Sequence, residues 1–437
     1  TSTALLQTRL TAATQLNASG DLPGAKGVAS FQWSTSEDFS DANNTPLLNA
    51  TEDADFIVRA ELTQLQPGTR YYYRAIYHET DDAADAQKTG STCSFTTLSG
   101  SESEHAVRFL VGSCMNYNKF MHGKRGNAGG SITATDEDKQ LGYPAFAAMR
   151  TMDADFFVGT GDIVYYDNQV RPAETVAELR RCWHEQFRFP RMIEFFQQVP
   201  CYWSKDDHDF RFNDSDNASD RLPLSTTGIG LFREQVPITG AGQNDQPSYR
   251  THRVNRDLQI WLTEGRDFRS PNRSPDGPDK TLWGKEQRDW LQQTLKSSDA
   301  KWKLIITPTP MIGPDDARKK DNHSNLGGFR HEANAFFQWL QDNRIKNVMT
   351  ICGDRHWQYH SIHPSGVEEF ACGALNDENA RMGVPPGSRK GTDPEALIRQ
   401  PYTSPKPSGG FLFVTAGEEL VFDFRDDDGK SLYRITK

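Results

Sequence analysis

The alternation of apolar and polar positions divides the chain into two regimes. Residues 1 to about 98 carry short alternating runs separated by turn residues: GVASFQWSTS, DFIVRAELTQLQPGTRYYYRAIYHE and STCSFTTL. In YYYRAIY every second residue faces one side, and the LQPGT before it is a Pro-Gly turn entering a strand. The pattern predicts a small all-β sandwich of fibronectin type III character over 1–98, with Leu65, Tyr71 and Tyr73 as core anchors and no chemistry of its own. The polar, turn-rich stretch LSGSESEHA places a linker at 99–106.

From Val107 onward the apolar runs are continuous but short, and each stops at a glycine or a polar turn. VRFLVGSCMNYN, FFVGTGDIVYYD and VPCYWSKDDHDFRFN read in this way, as do DLQIWLTEGRDFR, WKLIITPTPM and NVMTICGDRHWQYHSIH. PAFAAMRTMDA between the first two reads as a helix, and the span from Ala173 to Gln198, which holds ETVAELRRCWHEQFRFPRMIEFFQQ, as an amphipathic helix broken at Pro190. Strand, helix and strand recur, so 107–437 is predicted to be a single α/β domain with a parallel sheet. No internal repeat of fixed period appears.

Composition narrows the function classes. The apolar fraction is 36%, but 437 residues with 11% aromatics are enough for one large folded domain and a smaller one. A net charge of −10 argues against a nucleic-acid backbone as partner and leaves room for carboxylates neutralised by cations. No run of about 18 apolar residues is present, so no membrane span is expected. The six cysteines form no CxxC pair, which supports neither a zinc ribbon nor a disulfide framework. TSTALLQTRL is no signal peptide; if the protein is exported, the signal has already been removed.

Four strand ends carry side chains able to bind a metal: Cys114; Asp162 with Tyr165; Asp206, Asp207, His208, Asp209 and Asn213; and Asp354 with His356. Singly these are weak signals, since a Gly-Asp pair is usually a turn and a lone Cys is usually a small buried hydrophobe. DDHD is stronger, because three carboxylates around one His repel one another unless a cation or exposure relieves them. The order GSC, GDIVYYD, DDHDFRFN, GDRH, each after an apolar strand, points to a site with more than one metal. An Asp on a glycine turn suits a bridge between two ions, and such a pair clamps the attacking and leaving oxygens of a phosphoryl displacement.

That order resembles the PhoD-like alkaline phosphatases, a branch of the calcineurin-like metallophosphoesterases, over most of the chain. The resemblance implies a four-layer αββα metallophosphoesterase sandwich behind the β-rich leader. It also implies a phosphoester hydrolase using in-line attack by a metal-bound hydroxide on a small-molecule phosphate ester, in a secreted or periplasmic protein. By that resemblance Cys114, Asp162, Tyr165 and Asp354 hold a ferric ion. Asp206 and Asn213 hold one or two calcium ions beside the shared Asp162, with Asp207 an alternative to Asp206; another divalent metal is possible. His208 is implied as transition-state stabiliser or general acid, and His356 as ligand or phosphate contact. His360 and His363 are expected at the rim.

The chain departs from the family in lacking a His before the last strand, where SPKPSGGFLFV stands. Two spans are expected to be substrate-specific loops: 119–142, and Arg381 to Pro407. Arg381, Arg389 and Lys390 are suited to meet a phosphate, although a solvated basic loop is the commoner fate of such residues. A phosphodiesterase or phospholipase D-like enzyme fits the same residues, and so does a calcium-dependent binding protein that kept the fold without turnover.

Overall fold

The computed structural model describes residues 2–78, 87–123, 132–168, 171–238 and 246–437. Part of the expected substrate loop at 119–142 therefore lies outside the described residues.

The continuous apolar runs form two sheets. One has six strands in the order 201–204, 156–160, 107–112, 410–416, 420–426, 431–436. Its first three strands are parallel, and the remainder are antiparallel. The other has seven strands in the order 250–253, 258–262, 302–307, 348–352, 368–372, 358–362, 399–403, with the four from 258 to 372 parallel.

Side-chain alternation explains why these strands read as unbroken apolar runs. Phe109, Val111, Phe156 and Val158 point to a core shared with Ile260, Leu304, Ile306, Ile351 and Phe370 of the second sheet. Their neighbours Leu110 and Phe157 point the other way, into a core with Phe146, Leu179, Met192 and Phe195 from helices. The outer face of the second sheet is covered by the helices Gly284–Ser297 and Arg330–Asp342 through Leu291, Leu295, Phe336 and Phe337. The central strands of both sheets are buried on both faces, so the layering is helix, sheet, sheet, helix.

The leader is all-β. The strands Gly27–Ser34 and Arg70–His78 pair antiparallel, and Ala4–Arg9 pairs with Ile57–Leu62. Leu65 and Tyr71 are buried in its core beside Phe31 and Val58, while Tyr73 packs at its edge. The Tyr71 hydroxyl accepts from the Gln66 main chain at 2.8 Å, tying the Pro-Gly turn to the strand it opens.

Polar groups join the leader to the α/β body. His184, buried on the helix Val176–Phe187, places its two ring nitrogens 2.6 Å from Asp21 and from Asp55. Asp55 also takes Arg9 at 3.0 Å and Gln235 at 2.7 Å. Arg59 reaches the Arg233 carbonyl at 2.8 Å, and Arg180 those of Glu52 and Asp53 at 3.0 and 2.8 Å. Among the described residues no helix is long and apolar enough to cross a membrane.

Candidate metal centre

Four parallel strands end at one place, three from the first sheet and one from the second. Cys114 follows Val107–Gly112, Asp162 follows Phe156–Thr160, Asp206 to His208 follow Cys201–Ser204, and Asp354 with His356 follow Val348–Cys352. Thr160 bridges the sheets here, its hydroxyl donating to the Thr307 carbonyl at 3.1 Å.

Local backbone geometry turns the side chains inward. Cys114, Asp162 and Asp354 all lie in the left-handed region, with φ of 58°, 55° and 58°. Non-glycine residues rarely adopt it, and aspartate tolerates it better than most. The glycines before two of them permit close approach. A Cβ on Gly161 would fall 2.5 Å from the Asp206 Cβ, and one on Gly353 would fall 2.4 Å from the Thr160 carbonyl oxygen.

The result is three overlapping donor groups whose ligand atoms lie within 4.8 Å of one another: Cys114, Asp162 and His356; Asp162, Asp206, Asp207 and Asp354; and Asp162, Asp207 and His208. Asp162 is common to all three. The resemblance placed Asp354 with Cys114, whereas here Asp354 clusters with Asp206 and Asp207, and His356 stands beside Cys114. Tyr165 donates to Asp162 Oδ2 at 3.0 Å and accepts from the Asn379 amide at 3.0 Å.

The donor set fits bound cations. Asp162 Oδ1, Asp206 Oδ2 and Asp207 Oδ1 are buried without a hydrogen-bond partner, an arrangement that costs on the order of 1–3 kcal/mol per group, or more when charged, unless an ion completes it. Burial first, then the facing Asp207, pushes the Asp162 carboxyl well up. Burial and the Asp162 charge likewise raise the Cys114 thiol and the Tyr165 phenol. A thiol and a phenol in that state become ligands only when a cation ionises them.

Asp206 and Asp207 are not equivalent. The fully buried Arg266 donates to Asp206 Oδ1 from Nε at 2.7 Å, and its Nη2 lies 3.7 Å from Asp207. Asp207 resists the upward push of burial because His208, Arg266 and Lys319 together hold it below the usual carboxylate range. Asp209 is structural, accepting from the Ile163 and Asp206 main chains at 3.0 and 2.6 Å. Asn213 is exposed, and its main-chain N–H donates to Asp167 Oδ2 at 2.8 Å.

His208 stacks on the Tyr165 ring at 4.1 Å, and its Nδ1 lies 2.6 Å from Asp167 Oδ1. Burial opposes its charge, yet Asp207, Asp162 and the Asp167 hydrogen bond raise its pKa to about 10. The half-buried His356 shifts the other way, held well down by burial and then by Arg381 and Lys119. His360 departs from the rim expectation. It is fully buried, stacked on Phe370 at 4.5 Å and bonded to Glu368 at 2.5 Å, because its strand is covered on both faces. His363 is partly exposed, its ring centre 4.6 Å from that of Phe337 in a tilted contact.

Sequence reasoning missed Arg266, Asn379 and Lys119. Asn379 also donates to the Cys114 carbonyl at 2.9 Å, and Lys119 donates to Asn379 Oδ1 at 2.8 Å. EGRDFR reads as a charged turn, and nothing local in it signals burial.

Residues 109–403 match the family model described as PhoD-like phosphatase, and residues 1–98 match PhoD-like phosphatase, N-terminal domain. Among solved structures, one titled "Structure of PhoD" superposes with a TM-score of 0.75 at 17% identity, covering 100% of this chain and 86% of that one. Purple acid phosphatase PPD1 from yellow lupin (Lupinus luteus) seeds gives a TM-score of 0.63 at 12% identity, covering 100% and 72%. Both likenesses are of fold. No curated protein matches this chain.

Proposed function

Because this chain belongs to the PhoD-like phosphatase family and is a metal-dependent phosphoester hydrolase, we propose that it hydrolyses small phosphate esters at the strand-end cluster centred on Asp162. The reading rests on one observation: Asp162 is shared by all three donor groups, and its own Oδ1, Asp206 Oδ2 and Asp207 Oδ1 are buried without a hydrogen-bond partner.

In this proposal Cys114, Asp162, Tyr165 and His356 hold one ion, of a kind that accepts thiolate and phenolate, for which ferric iron is the assignment. Asp162, Asp207 and Asp354 hold the second, a harder cation such as calcium, with Asp206 kept in place by Arg266. Bound there, the cations would ionise a water at neutral pH and neutralise charge developing on the phosphoryl oxygens.

The chain's own residues supply the remainder. Asp167 Oδ1 accepts from His208 Nδ1 at 2.6 Å and fixes the ring. His208 is then a charged donor at the mouth of the cluster, suited to protonate the departing alkoxide or hold a phosphoryl oxygen. Tyr165, stacked beneath it, prevents the ring from swinging away.

The test combines elemental analysis of the purified protein with turnover of p-nitrophenyl phosphate and bis-p-nitrophenyl phosphate, with and without chelator. Iron at the first position predicts a visible phenolate charge-transfer band. A colourless, fully active zinc protein removes the iron assignment, and a fully loaded protein that turns over neither ester removes the proposed reaction. The ratio of the two rates separates monoesterase from diesterase.

A further inference from the structure

The span from Arg381 to Pro407 carries basic residues that the sequence leaves equivalent, and the structure separates them. Arg389 and Lys390 are exposed. Arg381 is half-buried and fixed beside the centre. Its main-chain N–H donates to the His356 carbonyl at 2.9 Å, and its guanidinium carbon lies 5.3 Å from the centre of the buried Trp357 ring. Two residues earlier, Asn379 hydrogen-bonds Tyr165 and the Cys114 main chain. The segment bearing Arg381 is thus bonded to residues of the Cys114, Tyr165 and His356 group at both ends.

The neighbouring guanidiniums are already engaged. Arg355 pairs with Asp354 and Asp315, and Arg266 with Asp206. Among the described residues Arg381 forms no ion pair, and its Nε is buried with no hydrogen-bond partner. A rigid fork braced on an aromatic face and short of an acceptor is a receptor for a planar or trigonal set of anionic oxygens.

We propose that Arg381 binds the non-bridging oxygens of the substrate phosphate and makes the site prefer a dianionic phosphomonoester to a monoanionic diester. This rests on the phosphoesterase reading above. A monoester presents three non-bridging oxygens and two charges, whereas a diester presents two oxygens and one charge. Attraction to a fixed cation scales with that charge, so the monoester gains more from Arg381 than the diester does.

The experiment uses the metal-loaded full chain and the variants Arg381→Met, Arg381→Lys and Arg389→Met, each checked for its thermal transition and metal content. Two quantities are read: kcat/KM on p-nitrophenyl phosphate and bis-p-nitrophenyl phosphate, and the Kd of inorganic phosphate by calorimetry. Arg381→Met should lower monoester kcat/KM roughly 10- to 100-fold, the range of one charged hydrogen-bond contact, and diester kcat/KM several-fold less. It should weaken phosphate binding to the same degree as the monoester. Arg381→Lys should recover part of the loss, and Arg389→Met should behave as wild type. Equal losses on both esters, or unchanged phosphate affinity, overturn the inference. A wild-type protein inactive on both esters removes the reaction, while the phosphate Kd still decides the role of Arg381.

Discussion

Replacing Asp162 with Asn should move stability and activity in opposite directions. In the absence of ions the Asp162 carboxylate faces oxygens of Asp206, Asp207 and Asp354 within 4.8 Å. At an effective dielectric constant of about 20, each such like-charged pair costs about 3.5 kcal/mol. Arg266 offsets the share at Asp206, and proton uptake limits the remainder, leaving about 1–3 kcal/mol of strain for the isosteric amide to relieve. In chelator, Asp162→Asn should therefore unfold at a higher temperature than wild type. With ions present the order should reverse. A site at 100 times its Kd adds about 2.7 kcal/mol to the native state, and the variant has lost the one ligand common to every donor group. Turnover should fall by at least about a thousandfold, since several kcal/mol of charge stabilisation go with the shared ligand. The assay is a thermal melt with EDTA and with metal, beside turnover of p-nitrophenyl phosphate. A variant less stable than wild type in EDTA, or one retaining near-native turnover, refutes the reasoning.

Histidine NMR of the metal-free protein should show His208 protonated through neutral pH and titrating near 10. Its folded pKa lies above the unfolded value, so the stability it contributes is complete below about 6.5 and is lost as pH rises through about 10; metal should lower the titration midpoint, and a midpoint near 6.5 without metal contradicts the Asp167 and Asp207 pairing. Asp55 is pushed up by burial but held below the ordinary range by His184, Gln235 and Arg9. Its contribution is therefore present above about pH 4 and lost as pH falls. Asp55→Asn should cost about 3 kcal/mol at pH 7 and flatten the acid limb of the stability curve, whereas an unchanged limb assigns the joint to other contacts. Gly161→Ala should keep the fold, lose about 1–3 kcal/mol and weaken metal binding, because the new methyl meets Asp206 and φ there is 80°; calorimetric titration with metal reads the second effect, and unaltered affinity would show that the approach is not needed.

The strand ends were legible for a physical reason. A parallel strand buried on both faces must be an unbroken apolar run, so the first charged residue after it marks the edge where ligands can stand. What the run does not encode is which strand ends meet, because that depends on how the two sheets stack. Asp354 and His356 are two residues apart, yet they serve different donor groups, and the left-handed turn at Asp354 that divides them has no sequence mark beyond Gly353. Arg266 stayed hidden because its burial is caused by a carboxylate 60 residues away. Lys119 and Asn379 are 260 residues apart and invisible to any local pattern. The alternation within QYHSI gives no sign that His360 is covered, since a polar residue in such a strand reads as facing solvent. The amphipathic pattern from Ala173 to Gln198 was legible as helix with its break at Pro190, and the structure divides it into Val176–Phe187, opened by a capping box of Thr175 and Glu178, and Pro190–Phe196.

The left-handed φ at Asp162 and Asp354 has an evolutionary consequence. Asparagine and glycine fit that backbone as well as aspartate does, whereas β-branched residues do not. A single base change from an aspartate codon reaches either Asn or Gly. The exchanges that the backbone accepts most readily are thus the ones that empty the centre of charge while leaving the sheets intact. Catalytically silent relatives of this fold are one mutation away and keep the backbone of these turns, so within such a lineage an intact fold reports little about activity, and the residue at these two turns reports a great deal.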